Sequence, residues 1–316
     1  MRISSICFLF IVLTLSLFFI SKVRAGEGAS SNYFPGTYGD YAVAVPPIPG
    51  LTYINYNLFY SAEADRAVLQ GRIETDIDTF AYVNMSALIY SFEKSIFGGS
   101  FATAAFIPIS YVDLEADLVG ELTSSRINDS ETGLGDIILM PFSGYWNTGN
   151  FYFNLYELIT IPTGEYDIDN NVNLGRNYWS FDTVLAITYL NMETGREFSL
   201  VPGLMINTEN NDTDYRTGSE FHLDAMFNQF FSENFAIGLH GYYFKQVTGD
   251  SGSGAVLGDF KGESIGIGPS LLWTPKAGQW YPTITANWLH DLDATNQLEG
   301  DYVVLTLVWQ FGKIGK

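Results

Sequence analysis

Three ionisable residues, Glu220, His222 and Asp224, occupy every second position of one short segment, and Asn228 lies in the same phase. Alternate side chains of a β-strand point to the same face, so a strand would bring these four groups together. Two carboxylates beside a histidine could form a polar constriction, bind a metal ion or respond to protons. They could also form a purely structural hydrogen-bond network, and the sequence leaves these alternatives open.

A second segment repeats this pattern with His240, Tyr242 and Gln246. In both segments the opposite face carries large apolar side chains, among them Phe227 and Leu239. If the segments are strands of a membrane barrel, the apolar faces contact lipid and the polar faces line the lumen. The candidate lumen-lining residues are therefore Glu220, His222, Asp224, Asn228, His240, Tyr242 and Gln246.

The sequence offers no matching catalytic or metal-binding set. A lipid-hydrolysing barrel needs a nucleophilic serine with a histidine and an orienting residue. The His-x-Ser sequence typical of such barrels is absent, because the second residue after each histidine is Asp224, Tyr242 or Leu292. Residues 167–171 alternate oxygen ligands as a calcium loop does, but Val172 stands where the turn glycine belongs. We therefore predict no enzymatic activity, no cofactor and no metal site.

The elements that position these residues are predicted from a two-residue alternation of large apolar with small or polar side chains. The segments are about ten residues or longer, and their apolar faces end in aromatic residues, as membrane barrels require. We therefore predict an all-β protein, a transmembrane antiparallel β-barrel of about twelve strands. The predicted strands are 51–60, 73–92, 101–112, 133–146, 151–161, 178–192, 196–207, 219–231, 235–247, 263–273, 280–290 and 302–311.

Short and long connections alternate between these strands. The short ones are 94–99, 147–150, 193–195, 232–234 and 275–278. The long ones are 61–72, 113–132, 162–177, 208–218, 248–262 and 291–301. Short periplasmic turns and long external loops are the pattern of outer-membrane barrels, so we expect both chain termini in the periplasm.

The start of the chain has the features of a signal peptide. Arg2 precedes an apolar run over residues 6–20, and the small residue Ala25 offers a cleavage site. We predict a signal peptide at 1–25, a periplasmic or lumen-plugging segment at 26–50, and a barrel at 51–316. The second segment contains Phe34, Tyr38, Tyr41 and four prolines, which is too apolar for a free tail. The only cysteine, Cys7, lies in the predicted signal peptide, so the mature chain has no disulfide.

The chain is acidic, with 35 Asp and Glu against 15 Lys and Arg and a net charge of −20. This charge disfavours nucleic-acid partners, because their phosphates would be repelled. The partners that we expect are outer-membrane lipid and lipopolysaccharide, a small hydrophobic or aromatic solute, and the barrel-assembly machinery. We expect a monomer in the outer membrane of a Gram-negative bacterium.

Five prolines lie within predicted strands, namely Pro108, Pro141, Pro202, Pro269 and Pro282. Proline cannot donate to a β-ladder and belongs at edges or bulges. Some of them could mark strand ends. The alternative is a set of bulges that kink the wall and open a lateral exit for an apolar solute.

A series of short sequences along residues 32–316 resembles the meta-pathway phenol-degradation family of outer-membrane proteins. In order, they are Phe34-Pro35-Gly36, Pro46-Pro47-Ile48-Pro49-Gly50, Gly133-Leu134-Gly135-Asp136, Ile161-Pro162-Thr163-Gly164-Glu165-Tyr166, Gly175-Arg176-Asn177-Tyr178-Trp179, Asn207-Thr208 with Tyr215, Gly218, Glu220, His222 and Asp224, and then Gly241-Tyr242 and Gly268-Pro269. The resemblance implies a barrel that passes aromatic or other poorly soluble compounds, and it transfers no catalytic residues.

Two functions are consistent with these observations. The first is a channel for small aromatic or hydrophobic compounds. The second is a non-transporting surface protein, an adhesin or receptor, that acts through acidic external loops. A channel needs a patterned track through the lumen, whereas an adhesin needs only its loops. The patterned lumen faces favour the channel.

Overall fold

The computed structural model describes residues 26–27, 30–69, 72–95, 97–119, 124–256, 261–275 and 282–312. The predicted signal peptide, residues 1–25, lies outside this range. Among the described residues, no helix has the length and apolar character that crossing a membrane requires.

The described residues form one sheet of thirteen antiparallel strands. The strands are β1 Gly50–Leu69, β2 Arg72–Ser91, β3 Ser100–Val119, β4 Ser124–Leu134, β5 Ile137–Thr148, β6 Phe151–Ile161, β7 Ser180–Asn191, β8 Arg196–Asn207, β9 Glu220–Ser232, β10 Phe235–Gln246, β11 Glu263–Trp273, β12 Thr283–Thr295 and β13 Glu299–Gly312. Each strand pairs with its sequence neighbours, apart from β4 and β5, and β1 also pairs with β13. The sheet is therefore a closed barrel.

Two of these strands share one position in the wall. The second half of β3, residues 109–119, pairs with β4. The first part of the same strand, residues 100–106, pairs with β5. Only Gly135 and Asp136 separate β4 from β5. The barrel thus has twelve strand positions, and the predicted all-β antiparallel barrel of about twelve strands is confirmed.

The side chains of the wall divide as a lipid-facing barrel requires. Leu200, Phe227 and Leu239 point outward and are about half exposed, whereas His222 and His240 point inward and are fully buried. A soluble β-sandwich would bury the apolar face instead. The apolar outer surface therefore fits a hydrocarbon environment.

The strands are longer than the sequence predicted. The predicted loops 61–72, 113–132 and 291–301 are largely strand in the structure. The outward side chains of β3 and β4 there are polar, as where Asp113 lies opposite Ser130. The prediction relied on apolar alternation, which ends where strands leave the lipid although backbone pairing continues.

The proline prediction is correct at one clear position. Pro141 lies at a bulge, because the register of β5 shifts against both of its neighbours there. The pairing register does not shift across Pro202 or Pro269, since those prolines interrupt the ladder without adding a residue. Pro282 precedes β12, and Pro108 faces the break between β4 and β5.

Candidate functional site

The chain before β1 lies inside the barrel. We call residues 26–49 the N-terminal segment. The long-loop end of the barrel carries the connections 162–179, 208–219 and 247–262, and the opposite, short-turn end carries the tight turns. The backbone nitrogen of Gly26 donates to Asp250 at the long-loop end, and Gly50 begins β1 at the short-turn end. The segment therefore runs the length of the lumen. The sequence placed the start of this segment at the short-turn end, whereas Gly26 lies at the long-loop end.

Two tyrosines of the N-terminal segment bind carboxylates of the wall. The Tyr33 hydroxyl donates to Asp224 at 2.8 Å, and the Tyr38 hydroxyl donates to Asp182 at 2.7 Å. His222 Nε2 lies 3.0 Å from the same Asp182 carboxylate. The His222 ring stacks on Tyr33 with 4.4 Å between ring centroids. These contacts join the segment to β7 and β9.

Halfway down the lumen, His240 lies between two carboxylates. Its Nδ1 is 2.8 Å from Asp40 of the N-terminal segment, and its Nε2 is 2.8 Å from Asp224 of the wall. Only a protonated imidazole can donate from both nitrogens. Asn287 donates to the Asp40 carboxylate, and Asn228 donates to the Asp40 backbone oxygen. We call the group of Asp40, Asp224, Asn228, His240 and Asn287 the central latch.

Nearer the short-turn end the segment is held by its backbone. Ala42 N donates to Glu197 at 2.8 Å, and Ala44 N donates to the Thr188 hydroxyl at 3.2 Å. Glu197 is fully buried and also accepts hydrogen bonds from Ser199 and Asn228. Every depth of the lumen thus contains a polar contact between the segment and the wall.

All seven residues that the sequence placed on the lumen faces point inward and are buried. Of those outside the contacts above, Glu220 accepts from Asn207, Gln246 donates to Asp250, and Tyr242 donates to Asp291. The structure brings His222, Asp224, Asn228 and His240 together against the N-terminal segment, while Glu220 and Gln246 lie nearer the long-loop end. Their function stays a prediction.

Sequence reasoning missed several members of the same network, namely Tyr33, Asp40, Asp182, Glu197 and Asn287. Asp182 alternates in phase with the inward residues of β7, so its face was readable from the strand pattern. Within the described residues, no group of three or more histidine or acidic side chains is arranged to hold a metal ion.

The other side of the lumen contains a cavity of about 430 Å³. Its wall is largely apolar and aromatic and comes mainly from β1–β6, with Tyr56, Leu58, Val83, Met85, Phe106, Met140, Tyr156 and Leu158. Phe34 and Tyr38 of the N-terminal segment close its inner side. The segment therefore separates a hydrogen-bonded half of the lumen from an apolar, open half.

The break in the wall borders this cavity. Gly135 and Asp136 line it together with Pro108, and Gly135 N donates to the Pro108 backbone oxygen at 3.1 Å. The Asp136 carboxylate accepts backbone hydrogen bonds from Gly164 and Arg176, at 2.8 Å each. These hydrogen bonds hold the connection between β6 and β7 over the break between β4 and β5.

Comparison with curated proteins finds no match. Among solved structures, the COG4313 outer membrane channel from Pseudomonas putida F1 is similar with a TM-score of 0.67 and 17% identity, over 88% of this chain and 99% of that one. The β domain of the Bordetella autotransporter BrkA gives a TM-score of 0.46 and 9% identity, over 84% and 100%. The first likeness shows a shared outer-membrane barrel fold.

The resemblance that the sequence suggested is also confirmed. The family model described as "Putative MetA-pathway of phenol degradation" matches residues 57–307, so the chain belongs to that family.

Proposed function

We propose that this protein is an outer-membrane channel for small apolar compounds, with aromatic molecules among them. The observation that carries the proposal is the two-sided lumen. Its polar side is occupied by the N-terminal segment, whereas its apolar side keeps a cavity. Enzymatic activity is not part of the proposal.

The size and lining of the cavity support a small apolar solute. A volume of about 430 Å³ is within the range of small-molecule sites. The lining combines aromatic rings with the methionines Met85 and Met140. Aromatic rings stack on aromatic solutes, and methionine side chains adapt to irregular shapes.

We propose that the solute enters at the long-loop end and leaves sideways through the wall. An apolar solute gains little by passing into water but gains by entering hydrocarbon. The ladder is interrupted between β3 and the pair β4/β5, next to Pro108, and the Pro141 bulge lies on the same strand position. Movement of the connection tied to Asp136 would open this gap.

The comparisons support the channel in general terms. The similar structure from Pseudomonas putida F1 is an outer membrane channel, and the family is described by a phenol-degradation pathway. Neither identifies the solute that this chain carries.

The alternative is a surface protein that acts through acidic groups. A pocket of about 440 Å³ outside the lumen is lined by Glu63, Asp78, Glu115, Glu299 and Asp301, among other residues. A receptor of this kind would bind its partner without any solute crossing the barrel.

Uptake assays with matched tryptophan variants test the channel. Val83 points into the cavity and Leu88 of the same strand points outward. Val83→Trp should lower uptake of toluene or phenol by about tenfold, because it fills the cavity. Leu88→Trp should leave uptake unchanged. A deletion strain with normal uptake of phenol, toluene and a medium-chain fatty acid would contradict the channel and favour the surface protein.

A further inference from the structure

The connection between β10 and β11 contains a buried carboxylate surrounded by neutral donors. Asp250 is 9% exposed. Its oxygens accept hydrogen bonds from the Tyr215 hydroxyl, the Gln246 amide, Gly218 N at 2.9 Å and Gly26 N at 3.0 Å. None of these donor groups carries a charge as long as Gly26 is joined to a preceding residue.

The surroundings of Asp250 are negative. Burial and the nearby carboxylates of Asp250 and Glu27 raise the pKa of Tyr215. Two basic side chains of this end have other partners. Arg176 donates to the Ser30 hydroxyl and the Ser31 backbone oxygen, and Arg216 Nε donates to the Asn207 backbone oxygen. Within the described part of the chain, no Lys, Arg or His forms an ion pair with Asp250. A buried carboxylate without a counter-ion is strongly destabilising.

We propose that the α-ammonium group of a processed chain beginning at Gly26 is the counter-ion of Asp250. Hydrolysis of the Ala25–Gly26 bond by a signal peptidase consumes one water, leaves a carboxylate on Ala25 and leaves an ammonium group on Gly26. The nitrogen that acquires the charge is the atom already 3.0 Å from Asp250. Removal of the signal peptide therefore creates the group that fixes the N-terminal segment at the long-loop end.

The backbone at this position suits a terminal glycine. Gly26 is buried. A Cβ atom there would lie 2.9 Å from the Ser30 backbone oxygen. One additional residue before Gly26 would move the charge by about 3.5 Å, a full residue length, away from Asp250. The site thus selects both the residue and the length of the processed chain.

The first test uses the unmodified protein from outer membranes. Its intact mass should be that of a chain that starts at Gly26, and N-terminal sequencing should give Gly26 as the first residue. Any other first residue would overturn the proposal. The α-amine of the folded protein should also be protected from an acylating N-hydroxysuccinimide ester. The pH at which acylation reaches half its maximum rate should lie clearly above about 8, the ordinary value for an α-amine. A half-maximum at or below that pH would also overturn the proposal.

A pair of variants tests the role of the carboxylate. Asp250→Asn should acylate at its α-amine about tenfold faster at pH 7, because loss of the pair exposes and deprotonates the amine. Asp214→Asn is the matched control, since Asp214 is an exposed carboxylate of a neighbouring connection that accepts from Ser253. Equal acylation of Asp250→Asn and the unmodified protein would contradict the proposal. If Asp250→Asn does not fold, insertion of one alanine before Gly26 should produce the same increase, and its failure to do so would contradict the proposal equally. None of these results depends on which solute the barrel carries.

Discussion

The two halves of the lumen wall differ in what they hold. The inward faces of β7–β12, the polar wall, carry Asp182, Glu197, Asp224 and His240, and all of them are buried. The wall of the cavity, which comes mainly from β1–β6 and which we call the apolar wall, carries leucine, methionine and aromatic side chains. The N-terminal segment lies against the polar wall because that wall offers hydrogen-bond partners. Space remains on the other side because the apolar wall offers few.

This difference shows that the buried charged side chains and the open cavity have separate roles in the barrel. A buried carboxylate is tolerated only when it is paired and hydrogen-bonded. On the polar wall, Asp182, Glu197 and Asp224 are each in hydrogen-bond contact with the segment or with a histidine. Of the residues that the sequence suggested as a pore lining, Asp224 and His240 are therefore occupied in holding the segment. The solute path that we propose lies on the less polar side.

The largest expected effect comes from removing the segment that separates the two walls. Deletion of residues 30–44 should raise single-channel conductance several-fold in planar bilayers, because the lumen then fills with water that also solvates the freed carboxylates. The barrel itself should stay closed, since β1–β13 pairing does not involve these residues. Heat-modifiable gel migration checks that the barrel is folded. Unchanged conductance in a folded deletion variant would contradict the division of the lumen.

The second effect concerns the central latch. His240→Ala leaves the carboxylates of Asp40 and Asp224 facing each other without the histidine between them. Breaking a buried pair in this way costs about 3–5 kcal/mol, so the free energy of unfolding in lipid vesicles should fall by roughly that amount.

The matched control for the central latch is His290→Ala. His290 also contacts an aspartate, Asp301 at 3.1 Å, but its side chain is 56% exposed. An exposed pair contributes only about 0–1 kcal/mol. Equal destabilisation by the two substitutions would show that the latch is no more than another surface pair.

Much of this architecture could be predicted from the sequence, because the lipid favours apolar side chains on the outer face of the wall. Most outward residues within the hydrocarbon are apolar, so alternation revealed the strands and placed His222 and His240 on the inner face. Outside the lipid this preference for apolar outward side chains ends, and the hairpin of β3 and β4 was therefore predicted as a loop. The preference also says nothing about the N-terminal segment, which spans no lipid.

The missing parts of the site depend on contacts between distant positions. Asp40 and His240 are 200 residues apart in sequence, and Tyr33 and Asp224 are 191 apart. A periodic pattern fixes the face of a residue but not its partner across the lumen. The aromatic and proline-rich composition of the segment did indicate burial, and a plug was one of the two predicted alternatives. The direction in which the segment runs follows only from contacts such as Gly26 with Asp250.

The smallest expected effect concerns Tyr38, a residue that contacts both walls. The Tyr38 ring lines the cavity, and its hydroxyl donates to Asp182 on the polar wall. Tyr38→Phe keeps the ring but removes the donor, and His222 still contacts the carboxylate. Loss of one hydrogen bond to a buried charge should therefore lower the unfolding free energy by about 1.5–3 kcal/mol. Uptake of toluene should not change, because the shape of the cavity is conserved. Tyr38→Ala is the comparison, since it also removes the ring and should alter both measurements. If Tyr38→Phe reduced toluene uptake as much as Tyr38→Ala, the hydroxyl would serve the solute, and the two walls could not be assigned separate roles.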